Sequence, residues 1–260
     1  MKIKVCSLLF LSFSIAVSAF SQFEYAQKVY SLSDMNVKGK VKRIIETEVS
    51  VDHKGRVDDD EEKHRIIYEF DQSGKLIKKL GVEYDDPDDV ESTCTYEYSN
   101  GKPSKMYEKV IYSQPDNYTF SYPVNSILVK DEDGDIKEKY TLVNNRITEI
   151  KYFTNSTTMY RHRELYEYNA AGQVSKETYM DDAETYRKYS SSQTYEYNKT
   201  GDRSRKEKFG NEKKLEWISE YDYSYDKNKN WTKCTEMFYS PGEPKDERVY
   251  TLYTRTYEYY

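Results

Sequence analysis

Pairs of aromatic residues two positions apart recur along the chain, and each pair precedes a short polar turn and a second run of alternating side chains. In a β-strand, residues two apart project to the same face, so each pair predicts two rings on one side of a strand. The copies start at Tyr68, Tyr96, Tyr166, Tyr195 and Tyr223. Most neighbouring copies start about 28 residues apart, a spacing typical of repeats built from one supersecondary unit. The pattern therefore predicts a series of β-hairpins.

The turn inside each copy has its own signature, which is clearest in Asn-Lys-Thr-Gly at residues 198–201. The asparagine places a side-chain acceptor at the first turn position, and the glycine at the fourth adopts a left-handed backbone at little cost. This chemistry is typical of a hairpin with a type I turn and a bulge. Residues 71–74, 131–134 and 169–172 repeat it, whereas residues 226–229 lack the glycine.

The order of the hairpins predicts the topology. Strands of this kind pair with the next hairpin in sequence, so we expect an antiparallel meander in chain order. We predict an all-β fold of about sixteen short strands in one elongated, twisted sheet, open or partly curled. Cross-strand pairs within each repeat would stabilise it without one central core. Both outer strands of an open sheet need protection, because unpaired edges promote aggregation.

The first residues differ from the rest of the chain. Lys2 and Lys4 precede an apolar run that ends in small residues, a pattern typical of a secretory signal peptide. We assign residues 1–21 to this signal peptide, 22–38 to an N-terminal arm without the repeat, and 39–260 to the hairpin array. No later stretch is apolar for long enough to span a membrane as a helix. We therefore expect an exported protein of the periplasm, the cell surface or the extracellular space.

Composition narrows the class of protein and of partner. Only 37% of the residues are hydrophobic, and that share includes the 29 tyrosines. We therefore expect a thin sheet covered by tyrosine rings rather than a thick aliphatic core. The net charge is -6 at pH 7. A surface of this sign repels phosphate backbones, so nucleic acid is not an expected partner.

The phrase Tyr-x-aromatic-Asn/Asp-x-x-Gly, present at Tyr68, Tyr166 and Tyr195 and degraded elsewhere, resembles the YD repeat of the RHS family. The likeness is to short exported bacterial members of that family. The resemblance implies a β-hairpin array that recognises a carbohydrate or another partner. The chain differs from the large toxins of the family, because its Asp86-Pro87 is followed by Asp88 and lacks their Asp-Pro-x-Gly self-cleavage motif. We also expect no domain after the array, and hence no enclosed toxin.

The repeated rings are the strongest candidates for a functional surface. Stacked on an exposed face, they would form a flat, weakly polar platform that suits a glycan or a protein surface. The alternative is that the rings only pack a thin sheet. The candidate ligand-binding residues are Tyr96, Tyr98, Tyr166, Tyr168, Tyr195, Tyr197, Tyr223, Tyr225 and Trp231.

Catalytic or metal chemistry has little support in the sequence. The histidines, His53, His64 and His162, have no metal-ligand partner at suitable spacing, and we expect solvated strand histidines. The carboxylates at 131–135 fit a hairpin turn better than a calcium loop. Nothing singles out a carboxylate pair for glycoside hydrolysis. We therefore expect a non-enzymatic protein without cofactor or metal, and a glycan-active hydrolase is a minor alternative.

Two further modes of interaction follow from the predicted open sheet. Its edges could pair between copies, so a self-associating structural protein of the envelope is the main alternative function. Insertion into a membrane as a barrel is not expected, because residues 176–197 place charged or hydroxyl side chains on both faces of their strands.

Overall fold

The computed structural model describes residues 33–57, 63–83, 90–153, 160–181 and 190–260. The predicted signal peptide lies outside these residues, as does most of the predicted arm. The described residues form sixteen β-strands and a short 3-10 helix, Lys245–Glu247. The strands are β1 Val41–Val51, β2 Lys63–Phe70, β3 Leu76–Glu83, β4 Val90–Ser99, β5 Lys102–Val110, β6 Asp116–Ser121, β7 Ser126–Lys130, β8 Ile136–Val143, β9 Arg146–Phe153, β10 Tyr160–Tyr168, β11 Val174–Asp181, β12 Ser190–Tyr197, β13 Arg203–Phe209, β14 Leu215–Tyr225, β15 Trp231–Tyr239 and β16 Val249–Tyr259.

Each strand pairs antiparallel with its neighbours in the chain, and β1 also pairs with β16, so the sheet is a closed barrel. The prediction of an open or partly curled sheet is wrong. The two closing strands have 11 residues each, and their register runs from Val41 opposite Tyr259 to Val51 opposite Tyr250. Closure gives the backbone groups of both terminal strands partners in the sheet and removes the exposed edges that an open meander would carry.

A buried ion pair joins the two closing strands. Nε of Arg255 on β16 lies 2.5 Å from Oε2 of Glu46 on β1, and the two side chains are 10% and 13% exposed. The guanidinium also lies 3.8 Å from the ring centroid of Trp231 on β15, a geometry that favours a cation. Arg255 and Glu46 are 209 residues apart in sequence, so no local pattern could have indicated the pair.

The turns show the predicted chemistry. Asp71 Oδ1 accepts hydrogen bonds from the backbone N–H groups of Ser73 and Lys75 at 2.8 and 3.0 Å, and Gly74 has a φ of 83°. The turn without glycine keeps the same form, because Lys229 takes the left-handed position with a φ of 65°. In that turn, Asp226 Oδ1 accepts a hydrogen bond from the backbone N–H of Asn230 at 2.9 Å.

Successive hairpins are joined by tyrosine hydroxyl groups. Each donates to a backbone carbonyl near the start of the preceding strand, next to the register shift that accompanies the turn. The bonds measure 2.6 to 2.8 Å and are Tyr98 to Leu76, Tyr168 to Ile147, Tyr197 to Val174 and Tyr257 to Trp231. A bulge disrupts the ladder locally, and the hydroxyl gives the carbonyl at that point a partner.

Because the strands alternate in direction, the turns at 71–75, 169–173, 198–202 and 226–230 lie at one end of the barrel, the turn end. The N-terminal residues 33–40 lie against it. Asn36 donates to the carbonyl of Thr200 at 3.1 Å, and the Asn230 side chain bonds both backbone groups of Lys38. Val37 packs with Ile44, Phe70 and Leu76. This end of the barrel therefore has an apolar core, and the opposite end carries the turn at 131–135.

We expect Arg255→Met to lower the free energy of unfolding by about 3 to 5 kcal/mol, because it leaves the Glu46 carboxylate buried without its partner. Denaturant unfolding measures the change. Lys42→Met is the control, since it breaks a pair on the same two strands whose side chains are 52% and 51% exposed; it should have little effect. Equal losses for the two variants would contradict a stabilising role of the buried pair.

Tyr197→Phe removes only the hydroxyl that bonds the Val174 carbonyl at 2.8 Å. We expect a loss of about 1 to 2 kcal/mol in the free energy of unfolding, the usual cost of removing one partner of a partly buried hydrogen bond. Tyr107→Phe is the matched control, because the Tyr107 hydroxyl bonds the exposed Glu97. If Tyr197→Phe were as stable as this control, the tyrosine–carbonyl bonds would not hold the hairpins together.

Candidate functional site

The two faces of the closed sheet form an inner wall and an outer wall. The inner wall carries the buried residues Ile44, Tyr68, Ile150, Tyr166 and Glu236, which the register of the strands places on one face. Ion pairs mark the outer wall, among them Arg205 with Glu220 at 2.6 Å and Lys176 with Glu167 at 3.1 Å. Side chains from many strands converge on the inner wall, so a binding site is expected mainly there.

The nine predicted ligand-binding residues lie on the inner wall, on β4, β10, β12, β14 and β15. Tyr166 and Tyr195 are 7% and 8% exposed, and Tyr96, Tyr98, Tyr168, Tyr197, Tyr223, Tyr225 and Trp231 are half-buried. These rings therefore do not form the expected flat platform on an exposed face. Their role in binding a ligand stays a prediction.

Carboxylates on the inner wall accept the hydroxyl groups of neighbouring tyrosines. Glu164 accepts from Tyr152 at 3.0 Å and from Tyr166 at 2.6 Å. Glu236 accepts from Tyr221 and Tyr253, both at 3.0 Å. Further pairs are Tyr195 with Glu177 at 2.9 Å and Tyr140 with Glu138 at 2.5 Å. This layer was not predicted from the sequence, although a glutamate two positions before a tyrosine, as in Glu138 and Glu164, was a visible signal.

Burial shifts the titration of several of these groups. The pKa of Glu164 is raised to about 7, chiefly by burial and in part by the neighbouring carboxylates Glu177 and Glu138, against the effect of the two hydroxyl donors. The pKa of Glu177 is also raised by burial. Lys206 is shifted in the opposite sense, because burial lowers the pKa of its ammonium to about 8. Each shift favours the neutral form, as expected for an ionisable group removed from water.

His162 is half-buried on the inner wall instead of solvated, so that expectation is wrong. Its ring stacks on Tyr152 with centroids 4.3 Å apart. Burial lowers the pKa of His162, with a further contribution from the charge of Arg161. The predicted hairpin turn at 131–135 is present, since Asp131 accepts the backbone N–H of Asp135 at 2.8 Å. Within the described residues, no group of three or more metal-ligating side chains is placed to hold a metal ion.

A cavity of about 240 Å³ lies on the inner wall between β5 and β9, toward the end opposite the N-terminal residues. Its lining residues are Met106, Glu108, Tyr118, Val129, Lys137, Glu138, Tyr152 and Phe153. Burial, aided by nearby carboxylates, raises the pKa of Tyr118 to about 12. The cavity combines rings, apolar side chains and carboxylates on regular strands, which is the composition of a small-molecule site. A hollow of about 300 Å³ at the turn end contains no ring among its described lining residues.

No sequence pattern predicted this cavity as a site. Its residues lie in the stretch between the copies at Tyr96 and Tyr166, where the repeat pattern is degraded. They come from five different strands, and only the paired strands bring them together.

Comparison with known proteins gives the fold and no family. No family model matches the chain, and no curated protein matches it. Among solved structures, a porin-like protein from Bacteroides uniformis has a TM-score of 0.55 at 13% identity, covering 84% of this chain and 96% of its own. A porin-like protein from Bacteroides vulgatus has a TM-score of 0.42 at 8% identity, covering 85% and 99%. A LolA superfamily protein from Nitrosomonas europaea has a TM-score of 0.32 at 8% identity, covering 88% and 92%.

Of these three likenesses, the first alone exceeds a TM-score of 0.5, and at 13% identity it shows a shared fold only. The assignment to the RHS family is wrong, because the sheet is a closed barrel and no family model supports the resemblance. The physical reason is that Tyr-x-Tyr followed by a glycine turn encodes a single hairpin. That local unit serves an open array and a closed barrel equally well. Within the described residues, the structure contains no helix with the length and apolar character needed to cross a membrane.

We expect the unfolding free energy to fall as pH rises from 4.5 to about 7, by up to about 3 kcal/mol from Glu164. In this window the unfolded chain releases the Glu164 proton and the folded chain keeps it, so rising pH favours the unfolded state until the folded carboxyl also ionises near pH 7. Glu164→Gln should remove this part of the dependence, so its stability relative to the wild type should increase with pH. Parallel pH profiles of the two proteins in denaturant unfolding would contradict the raised pKa.

Proposed function

We propose that the protein is an exported, non-enzymatic binding protein of the bacterial envelope that holds a small ligand in the inner-wall cavity. The observation that carries the proposal is this cavity, with the rings of Tyr118 and Tyr152 beside the carboxylates of Glu108 and Glu138. Sites on regular strands position their side chains better than sites on loops. Rings supply contact area and the polar groups orient the ligand.

The hydrogen bonds of the inner wall support binding rather than catalysis. Glu164 accepts two tyrosine hydroxyls and Glu177 accepts one. A general acid or nucleophile must be able to reach the reacting atom, and these carboxylates instead orient rings. This favours a preorganised wall over a hydrolytic site.

The charged side chains of the outer wall favour a protein that is surrounded by water. Arg163 lies 3.5 Å from Glu149, and Arg205 pairs with both Glu207 and Glu220. A barrel within a lipid bilayer presents an apolar band outward, because charged side chains facing lipid are costly. Paired charges on several outer strands therefore favour a location in the aqueous space of the envelope.

Two parts of the expected function change with the fold. A glycan is kept among the proposed ligand classes, bound inside the barrel and not on a platform of rings. Self-association through free edges is not proposed, because β1 and β16 are paired with each other.

A thermal-shift panel of neutral sugars, fatty acids and amines tests the proposal. We expect at least one class to raise the unfolding temperature saturably, by an amount equivalent to about 2.7 kcal/mol at a hundredfold excess over the dissociation constant. Tyr118→Ala should weaken the effect, because it removes a ring that lines the cavity on the inner wall. Tyr107→Ala, which removes a ring from the outer wall, should not. If no class stabilises the protein, the proposed function fails.

A further inference from the structure

We infer that the outer wall of β8, β9 and β10 binds a linear acidic polysaccharide along three cations, Lys139, Lys151 and Arg163, here called the basic row. This surface is separate from the inner-wall cavity, so the inference goes beyond the proposed function and does not depend on it. It rests on the register of the three strands, on the position of the neighbouring carboxylates, and on the shape of the wall.

Like charges face one another along the basic row. Lys151 on β9 lies directly opposite Lys139 on β8 and, on its other side, directly opposite Arg163 on β10. Adjacent strands are about 4.8 Å apart, so the row extends about 10 Å across the sheet. Like charges directly opposite each other destabilise a sheet. A local arrangement that costs stability is expected mainly where function requires it.

A single carboxylate is shared by two members of the row. Oε1 of Glu149 lies 3.7 Å from Nζ of Lys151 and 3.5 Å from Nη1 of Arg163. Lys139 is exposed, and the ion pairs among the described residues do not include it. The positive charge that is available to a ligand is therefore greatest at Lys139, at one end of the row.

The acidic turn at 131–135 is directed at a different lysine. Asp131 pairs with Lys137 at 2.8 Å, and the charges of Asp133 and Asp135 act on the same ammonium group. Lys137 is two positions before Lys139 on β8 and lies nearer to this turn. An acidic ligand would therefore be kept on the part of the wall between the basic row and the turn end.

The shape of the wall distinguishes a polymer chain from a lipid surface. The row crosses the strands, so it follows the convex curve of the closed sheet. A flat lipid surface would touch such a wall along a narrow strip, whereas a flexible chain with one charge per sugar can bend along the row. The rings of Phe153 and Tyr160, with centroids 6.3 Å apart beside Lys151, add aromatic surface for sugar rings.

Calorimetry with polygalacturonate, a chain with one carboxylate per sugar, tests the inference on the unmodified protein. We expect saturable binding that weakens as salt is added, because exposed charges are screened. Dextran, a neutral chain, should not bind, and equal binding of the two chains would contradict a role of the cations.

Vesicles of phosphatidylglycerol present anionic groups on a flat surface. Tighter binding to these vesicles than to polygalacturonate would overturn the choice of a polymer. Absence of polygalacturonate binding at low salt would overturn the whole inference. Neither result would affect the proposed function, which the thermal-shift panel tests at the cavity.

Two variants with the same change in net charge locate the effect. We expect Lys139→Gln to weaken polygalacturonate binding about fivefold, the effect of one exposed charge contact. Lys42→Gln is the control, because the Lys42 ammonium is already paired with Glu258 at 2.7 Å; it should leave the affinity unchanged. Equal losses in the two variants would show that only the overall charge matters and would overturn the basic row.

Stability separates a binding role of Lys139 from a structural one. Because Lys139 faces Lys151, we expect Lys139→Gln to raise the urea midpoint of unfolding at low salt, and the gain should disappear at high salt. Weaker binding together with a higher midpoint would support a row that is kept for its ligand. A lower midpoint would show that Lys139 stabilises the fold, and would overturn the inference from repulsion.

Discussion

Closure of the sheet through β1 and β16 is the constraint on which the rest of the structure depends. Once these strands pair, every alternating strand has one set of side chains directed to a shared interior and another directed outward. The Arg255–Glu46 pair, buried between the closing strands and covered by Trp231, stabilises the closed arrangement. The two side chains must stay in contact, because either charge buried without its partner would be costly.

Closure also explains why the interior is so polar for a folded protein. A chain that is 37% hydrophobic cannot fill a barrel of sixteen strands with aliphatic side chains. Tyrosine supplies ring area, and its hydroxyl must find a partner when buried. In this barrel the partners are carbonyls beside the turns, as for Tyr197, and carboxylates in the middle of the strands, as for Tyr166. The same rings therefore join neighbouring hairpins and hold the acidic side chains of the interior in place.

The proposed binding site is a local interruption of this network. Between β5 and β9 the rings and carboxylates leave a cavity, and Lys137 is held by Asp131 in the adjoining turn. The repeat pattern is weakest in this part of the sequence, which is consistent with residues that serve a ligand rather than the packing of consecutive hairpins. A stretch in which the repeat pattern is degraded can therefore indicate functional residues, as a regular copy indicates a hairpin.

The sequence by itself determined the hairpins, their turns and their order, because the Tyr-x-Tyr pairs and the acceptor-to-glycine turns act within a few residues of one another. It also placed the members of each ring pair on a common face, since strand alternation is local. Only the tertiary structure decided that the face is an interior. The pairing of β1 with β16 and of Arg255 with Glu46 joins residues about 200 positions apart. Whether a meander closes depends on the twist and stagger accumulated over all its strands, a property that no single repeat encodes.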